Sequence, residues 1–403
     1  MLNFFPTPYP DELWYSVLCR YHIRSGNPKN QTTRLELSNN GNYSAVCILF
    51  PNNSIKHIVD QLPNGLFDVN EIILNHTLFN YHMRMYPIKK KEELLKSLCY
   101  GTASIPTNFW KTSEIPIFRY CPVCVKEDRE FFGEPYWHRE HQVPLMMACR
   151  KHKCRLKEFT CSRRQEPVEK FIPVAHCDTG DPPCYEVTDV EIKLSELSYQ
   201  YLTMPFETGP TSGHNNLTQE LYNKGYGMPK SFFSLNFNKI YNDLISIFGD
   251  EMVQTFFGRK TAIAMIARIH KWSLISPERY IMLSVLADQK AETTFSPNKI
   301  QDVMEEELNK LRKKGIPYKK KYVAEQLGIS SPQLDALVTR LKIPPFWLER
   351  NIYASDKKRS SVKAYFNEED KAAVDQYAEK KNFANTSDFI KYCIEFVMKE
   401  NLP

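Results

Sequence analysis

Apolar residues recur at helical spacing over most of the chain, and the elements they predict are almost all helices. Leu13, Trp14, Val17, Leu18 and Tyr21 form one stripe, with Pro10 ahead of them, Asp11 and Glu12 in the expected first turn and Gly26 at the end. That pattern predicts an amphipathic helix opening at Pro10. Shorter helices are expected at about 54–61, 69–81 and 91–99. Helical spacing returns over 252–270 and 277–288, where Ile263, Ile266 and Ile269, then Ile281, Leu283 and Leu286, read as a core face. Between 191 and 235 the chain is polar and contains Gly, Asn and Thr, with 211–216 the clearest loop, so this stretch reads as a connection.

Around 300–350 the pattern sharpens into a helix-turn-helix. Tyr322, Val323, Ala324 and Leu327 are the apolar side of a short helix, Gly328 breaks it, and Ile329 plugs the turn. Ser330, Ser331, Pro332 and Gln333 open a second helix with capping-box spacing, and Leu334, Leu337, Val338 and Leu341 face inward. Directly before it Arg312, Lys313, Lys314, Lys319, Lys320 and Lys321 place six cations within residues 312–321. A basic run alone is usually a solvated face; beside a recognition helix it becomes a phosphate contact, with Ser331, Gln333 and Arg340 placed to approach base edges. Helical hairpins without a DNA partner share this pattern.

The last fifty residues carry another module. After Lys357, Lys358 and Arg359, the alternation of Val362, Ala364 and Phe366 with Lys363, Tyr365 and Asn367 has the period of a strand. Two helices follow, 369–380 and a second one capped by Ser387. One strand and two helices cannot bury their apolar faces alone, which resembles a ribbon-helix-helix unit, completed by a second copy, with Ser361, Lys363 and Tyr365 toward DNA. The alternative is a helical hairpin packed on the main body.

At 403 residues and 42% hydrophobic, the chain is long enough for two or three globular domains. The expected fold class is mainly α and multidomain: a helical domain over 1–115, a zinc-ribbon or finger-like segment over 116–190, a connection over 191–235, a helical region over 236–350 ending in the helix-turn-helix, and a ribbon-helix-helix module over 355–403. A net charge of +6 is mild for this size, so nucleic-acid binding has to rest on local basic clusters. No apolar run approaches the ~20 residues that span a bilayer, and the first residues lack the design of a signal peptide, so a cytoplasmic location and no membrane partner are expected.

The chemistry concentrates between residues 121 and 184, which hold seven of the eleven cysteines. In a reducing compartment that density reads as metal ligation rather than a disulfide framework. Cys121-x-x-Cys124 and Cys149-x-x-His152, separated by 24 residues, have the spacing of paired ligands that close a tetrahedron around Zn2+. Cys154, Cys161, Cys177 and Cys184 are candidates for a second zinc, with His176 a competing ligand and reduced, partly buried cysteines the alternative. His57, His76 and His82 stand singly and are given no role.

Two separate stretches resemble one known family. Phe5-Pro6-Thr7-Pro8-Tyr9-Pro10-Asp11-Glu12-Leu13, continuing through Tyr15, Ser16 and 20–27, is similar to the N-terminal signature of the TniQ/TnsD family of transposon target-site selectors. Residues 120–124, then Phe132-Gly133-Glu134-Pro135-Tyr136-Trp137-His138-Arg139, 141–144, Cys149 and His152, resemble its core. The resemblance is strong over 1–160, weaker over 240–350 and absent after about 355. It implies a bacterial transposition protein that is not the recombinase: it binds double-stranded DNA and hands the target to an AAA+ ATPase regulator (TnsC-like), the N-terminal segment being the docking region. Transposase subunits or a CRISPR effector complex are further partners that the family admits, and direct and RNA-guided targeting both stay open. The family often has two Cys-x-x-Cys pairs in the second stretch; here Cys161 is followed by Ser162, Arg163 and Arg164, and Cys177 stands apart from Cys184.

An enzyme fits less well. His138-Arg139-Glu140-His141 puts its histidines at i and i+3, unlike the His-Glu-x-x-His helix of zinc peptidases, and four closed ligands leave no position for a water. There is no Walker-type phosphate loop and no Gly-x-Ser-x-Gly. Trp137, His138, Arg139 and His141 read instead as residues that knit the zinc region to the helical domain, with Arg139 paired to a carboxylate. A zinc-stabilised transcription regulator with the same DNA-binding elements is the second hypothesis.

Overall fold

The computed structural model describes residues 2–38, 49–103, 117–160, 171–176, 182–210, 216–227, 235–258, 261–268, 276–296, 300–315, 318–327, 329–347 and 366–399. The chain is mainly helical: α1 (Trp14–Ser25), α2 (Asn30–Leu37), α3 (Ser54–Asp60), α4 (Val69–His76), α5 (Phe79–His82) and α6 (Ile88–Cys99) lead to β1 (Ile117–Tyr120), α7 (Pro122–Phe132) and β2 (Lys157–Thr160). Then come α8 (Asp189–Thr203), α9 (Asn216–Leu221), α10 (Phe237–Phe248), α11 (Asp250–Phe257), α12 (Ala262–Ile266), α13 (Pro277–Ala287), α14 (Ala291–Phe295), α15 (Ile300–Lys313), α16 (Lys320–Gln326), α17 (Ser331–Leu341), α18 (Glu368–Lys380) and α19 (Thr386–Lys399). They form two compact units, residues 1–220 with 237–296, and residues 221–236 with 297–403.

In the first unit one core joins the N-terminal helices to the cysteine-rich segment. Trp14, Tyr15, Leu18, Ile58 and Ile73 pack in the same cluster as Phe118, Val125, Trp137 and Ile172, so no gap in the core falls near residue 115. Tyr15 stacks on Phe118 and Phe118 on Trp137, with ring centroids 5.1 and 4.7 Å apart. Burial leaves the Trp137 indole N–H and the Ile172 amide in need of acceptors, and both find one: Trp137 Nε1 donates to Ile172 O at 2.7 Å, and Ile172 N to the Tyr15 hydroxyl at 3.0 Å.

Two buried cations tie α5 and α6 to α8. Arg84 donates to the carbonyls of Tyr201, Met204, Pro205 and Thr208 at 2.7–3.0 Å. Lys91 donates to Phe206 O and to Thr208 O. Tyr201 and Met204 are at the end of α8, where carbonyls have no partners within the helix, and Pro205, Phe206 and Thr208 are in the loop that follows; the two side chains serve both.

Several elements differ from the sequence pattern for visible reasons. α1 opens at Trp14 rather than Pro10, because Asp11 takes a left-handed φ of 52° and Glu12 bridges to His138. The expected helix over 69–81 is cut at Thr77, whose hydroxyl donates to Ile73 O at 2.6 Å and accepts from Phe79 N at 3.1 Å. The stretch 252–270 is broken at Gly258, where φ is 79°, and its last two residues lie outside those described. Within the segment read as a connection, α8 is a 15-residue helix opened by a Thr188–Glu191 capping box, with Leu194, Leu197, Tyr201 and Leu202 on its buried face.

In the second unit α15, α16 and α17 surround a separate core of Leu308, Leu311, Val323, Leu327, Ile329, Leu334, Val338 and Trp347. α16 and α17 pack against each other, with the Ser330–Gln333 capping box in place. The hairpin of α18 and α19 joins this unit through an antiparallel bridge of Tyr318 with Phe383, which is buried. Asn385, not Ser387, caps α19: its Oδ1 accepts from Asp388 N at 2.9 Å. The strand expected at 361–367 lies, but for its last two residues, outside those described.

Candidate metal centre

β1 delivers Cys121 to the start of α7, where Pro122 occupies the first turn and the Cys121 sulfur accepts from Cys124 N at 3.5 Å. The second arm is a tight loop closed by the Ala148–Arg155 bridge. Within it Cys149 N donates to Cys154 O and Lys153 N to Cys149 O, both at 2.8 Å, and Lys153 turns the chain with a φ of 50°. The two arms bring Cys121, Cys124, Cys149 and His152 together, their donor atoms all within 4.8 Å of one another. His152 Nδ1 faces the three sulfurs at 3.4, 3.3 and 3.5 Å. Its other nitrogen, Nε2, stands 3.1 Å from Glu127 Oε1, and Lys151 holds the second Glu127 oxygen. A carboxylate behind the imidazole is the arrangement that fixes a ligating histidine's ring and tautomer.

The electrostatics fit a cation. Hydrogen bonds with Cys124, Cys149 and Cys154 hold the Cys121 thiol well below the usual thiol range, while those with Cys121 and Cys149 push Cys124 up. Three buried thiols and one half-buried imidazole, converging on one point, are the donors a structural Zn2+ takes.

The second set of cysteines does not assemble among the described residues. Cys154 lies beside the first group, its sulfur 3.4 Å from that of Cys121. Cys184 is exposed, and Cys161 and Cys177 lie outside the described residues. His176 closes a short 3-10 turn, Val174–His176.

The two motif stretches meet as a seam. Leu13 N donates to Trp137 O at 2.8 Å and Arg139 N to Asp11 O at 2.7 Å. Arg139 Nε donates to Asp11 Oδ1, and Glu140 N to Asp11 Oδ2, both at 2.9 Å. Trp137 N donates to Ser16 Oγ at 3.1 Å. One layer further out Arg20 lies 3.6 Å over the Tyr9 ring and bonds Glu12 at 2.7 Å and Glu134 at 2.8 Å. The pairing of Arg139 with a carboxylate is as expected; Arg20, Glu134 and Glu127 were not singled out from the sequence. For Arg20 and Glu134 the signal lay in the motif itself, since charged residues among buried neighbours need partners; Glu127, in the charged run between the quoted residues, carried none. His138 is pulled two ways: burial pushes it down, and Asp128 at 3.0 Å more than offsets this. His141 is buried and pushed well down, so it is neutral.

The basic residues lie in the second unit. Arg312, Lys313, Lys314 and Lys319 are exposed, and among the described residues none is in an ion pair. Lys320 instead bonds Asp335 of α17 at 2.6 Å, and Lys321 stands 3.7 Å from Glu325. Ser331 is half-buried. Gln333 is exposed, but its Oε1 accepts from Ser330 N at 2.8 Å, so the side chain is committed to the helix cap. Arg340 lies on α17. Lys357, Lys358, Arg359, Ser361, Lys363 and Tyr365 lie outside the described residues. Among the described residues no helix is long and apolar enough to cross a membrane.

Comparison with known proteins bears on the first of these regions. Residues 3–156 match the TniQ family model. Over 156 residues the chain is 27% identical to the transposon Tn7 transposition protein TnsD of Escherichia coli, a match covering 37% of this chain and 30% of that relative. The chain therefore spans less than a third of the length of the curated relative it matches. The family match holds both sides of the seam and all four metal donors.

Proposed function

We propose that this chain, which carries a TniQ domain over residues 3–156, is a non-catalytic, DNA-binding target-site selector of a bacterial transposon that recruits an AAA+ ATPase regulator. The observation that carries the reading is the seam: the two motif stretches are bonded to each other, and the Cys3His group lies in the same compact unit. A metal site of three cysteines and one histidine reads as scaffolding. The exposed cations at the end of α15 and before α16 supply phosphate contacts, and α17 is the element presented to a groove. Zn2+ is the metal, held by Cys121, Cys124, Cys149 and His152. The C-terminal module pairs two copies of the chain.

A transcription regulator built from the same parts is the second reading, and the partner separates the two. The decisive experiment measures binding of the purified chain to DNA flanking its own transposon, alone and with the ATPase encoded beside it. Joint retention of DNA and ATPase is expected. Tight sequence-specific binding with no ATPase capture would favour the regulator.

A further inference from the structure

Zinc takes four ligands in a closed site, yet a fifth donor, Cys154, stands beside this group. The loop after α7 carries three of the five, Cys149, His152 and Cys154, to set against Cys121 and Cys124. Cys154 is fully buried, and its sulfur is as near to Cys121 Sγ, at 3.4 Å, as His152 Nδ1 is. The backbone holds it there, since Cys154 O accepts from Cys149 N and Lys153 turns the chain back toward the group. His152, by contrast, is the group's most accessible donor: it is half-buried, where the three thiols are buried.

We propose that Cys154 is a reserve ligand, which takes the fourth place on the metal when His152 leaves it. This rests on the reading of the Cys3His group as a metal centre. In the exchange His152 departs as a neutral imidazole and the Cys154 thiol gives its proton to water as its sulfur joins the metal. The site then passes from three thiolates and an imidazole to four thiolates, gaining one negative charge. Of the cations on this loop, Lys151 feels the charge of the Cys124 and Cys149 sulfurs, while Arg150 and Lys153 are paired with Glu140 and Glu196.

The test uses the full chain, its metal content after exhaustive dialysis, and the absorption of its Co2+-substituted form, in which the thiolate-to-metal band grows with each thiolate. Wild type, Cys154→Ser and His152→Ala should each hold one metal, and His152→Ala should show that band stronger than wild type by about one-third, as four thiolates replace three. His152→Ala with Cys154→Ser should hold none. His152→Asn, closer in size, should behave as His152→Ala does. Loss of the metal from both single His152 variants, or its retention in the double variant, would overturn the proposal. A wild-type chain without metal would overturn the metal centre itself, a result distinct from either.

Discussion

Asp11 holds Arg139 twice: its carboxylate accepts from Arg139 Nε at 2.9 Å and its backbone carbonyl from Arg139 N at 2.7 Å. This requires the left-handed φ of 52° at Asp11, a conformation that aspartate tolerates better than most residues.

Arg139→Met should therefore destabilise the first unit by about 2 kcal/mol, the value of hydrogen bonds to a charged group. Asp11→Asn should cost less, because the amide oxygen can still accept from Arg139 Nε and Arg139 keeps its bond to Leu74 O. Chemical denaturation of the two single variants and the double should give a favourable coupling energy. Strict additivity would show that the two side chains act separately.

Removal of metal should loosen the loop of residues 149–154 without unfolding the core, since Phe118, Trp137 and Ile172 pack independently of the sulfurs. One zinc per chain is expected by atomic emission. Chelation should lower the thermal midpoint and raise protease sensitivity near residue 152.

Lys313→Ala and Lys319→Ala should weaken binding to all DNA sequences alike, each reducing the slope of log K against log salt by roughly 0.9. Gln333→Ala should behave otherwise. Because its amide caps α17, the change should cost on the order of 1 kcal/mol of stability before it alters any DNA contact. Unfolding of the second unit, followed alongside DNA titrations, separates the two effects.

Phe366 is 44% exposed, and α19 leaves Ile394, Phe396, Val397 and Met398 exposed too. If a second copy covers them, the full chain should sediment as a dimer and Phe366→Asp as a monomer. An unchanged, monomeric wild type would mean that the hairpin serves only its own chain.

Burial, with Arg84 beside it, pushes Lys91 down to about 8 from an ordinary value of 10.5. Between those values the unfolded chain binds a proton that the folded chain has lost, so stability should rise with pH across the window. Lys91→Met should abolish that rise, measurable as the slope of unfolding free energy between pH 8 and 10.

The helices of the second unit were legible because local signals agreed: the Ser330–Gln333 box, the apolar spacing of α17 and the turn at Ile329 all point one way. The convergence of Cys121, Cys124, Cys149 and His152 was legible from spacing alone. The start of α1 was not, since Pro10, Asp11 and Glu12 satisfy every local rule for a helix and are diverted by Arg139 and His138, more than a hundred residues away. α8 was missed because polar residues dominate its sequence and its apolar face is narrow. Cys154 was assigned to another site because spacing cannot show that a left-handed turn at Lys153 folds it back.

The seam also dictates an order of events. Its bonds join residues 128 and 129 positions apart, whereas the metal donors span only residues 121 to 152. During synthesis the first helix must wait, its entry strand unpaired, until the chain has been made past residue 140. The metal loop can close over a far shorter stretch. A nascent chain halted before that point should keep Trp14 and its neighbours exposed, a substrate for chaperones and proteases rather than a folded N-terminal domain.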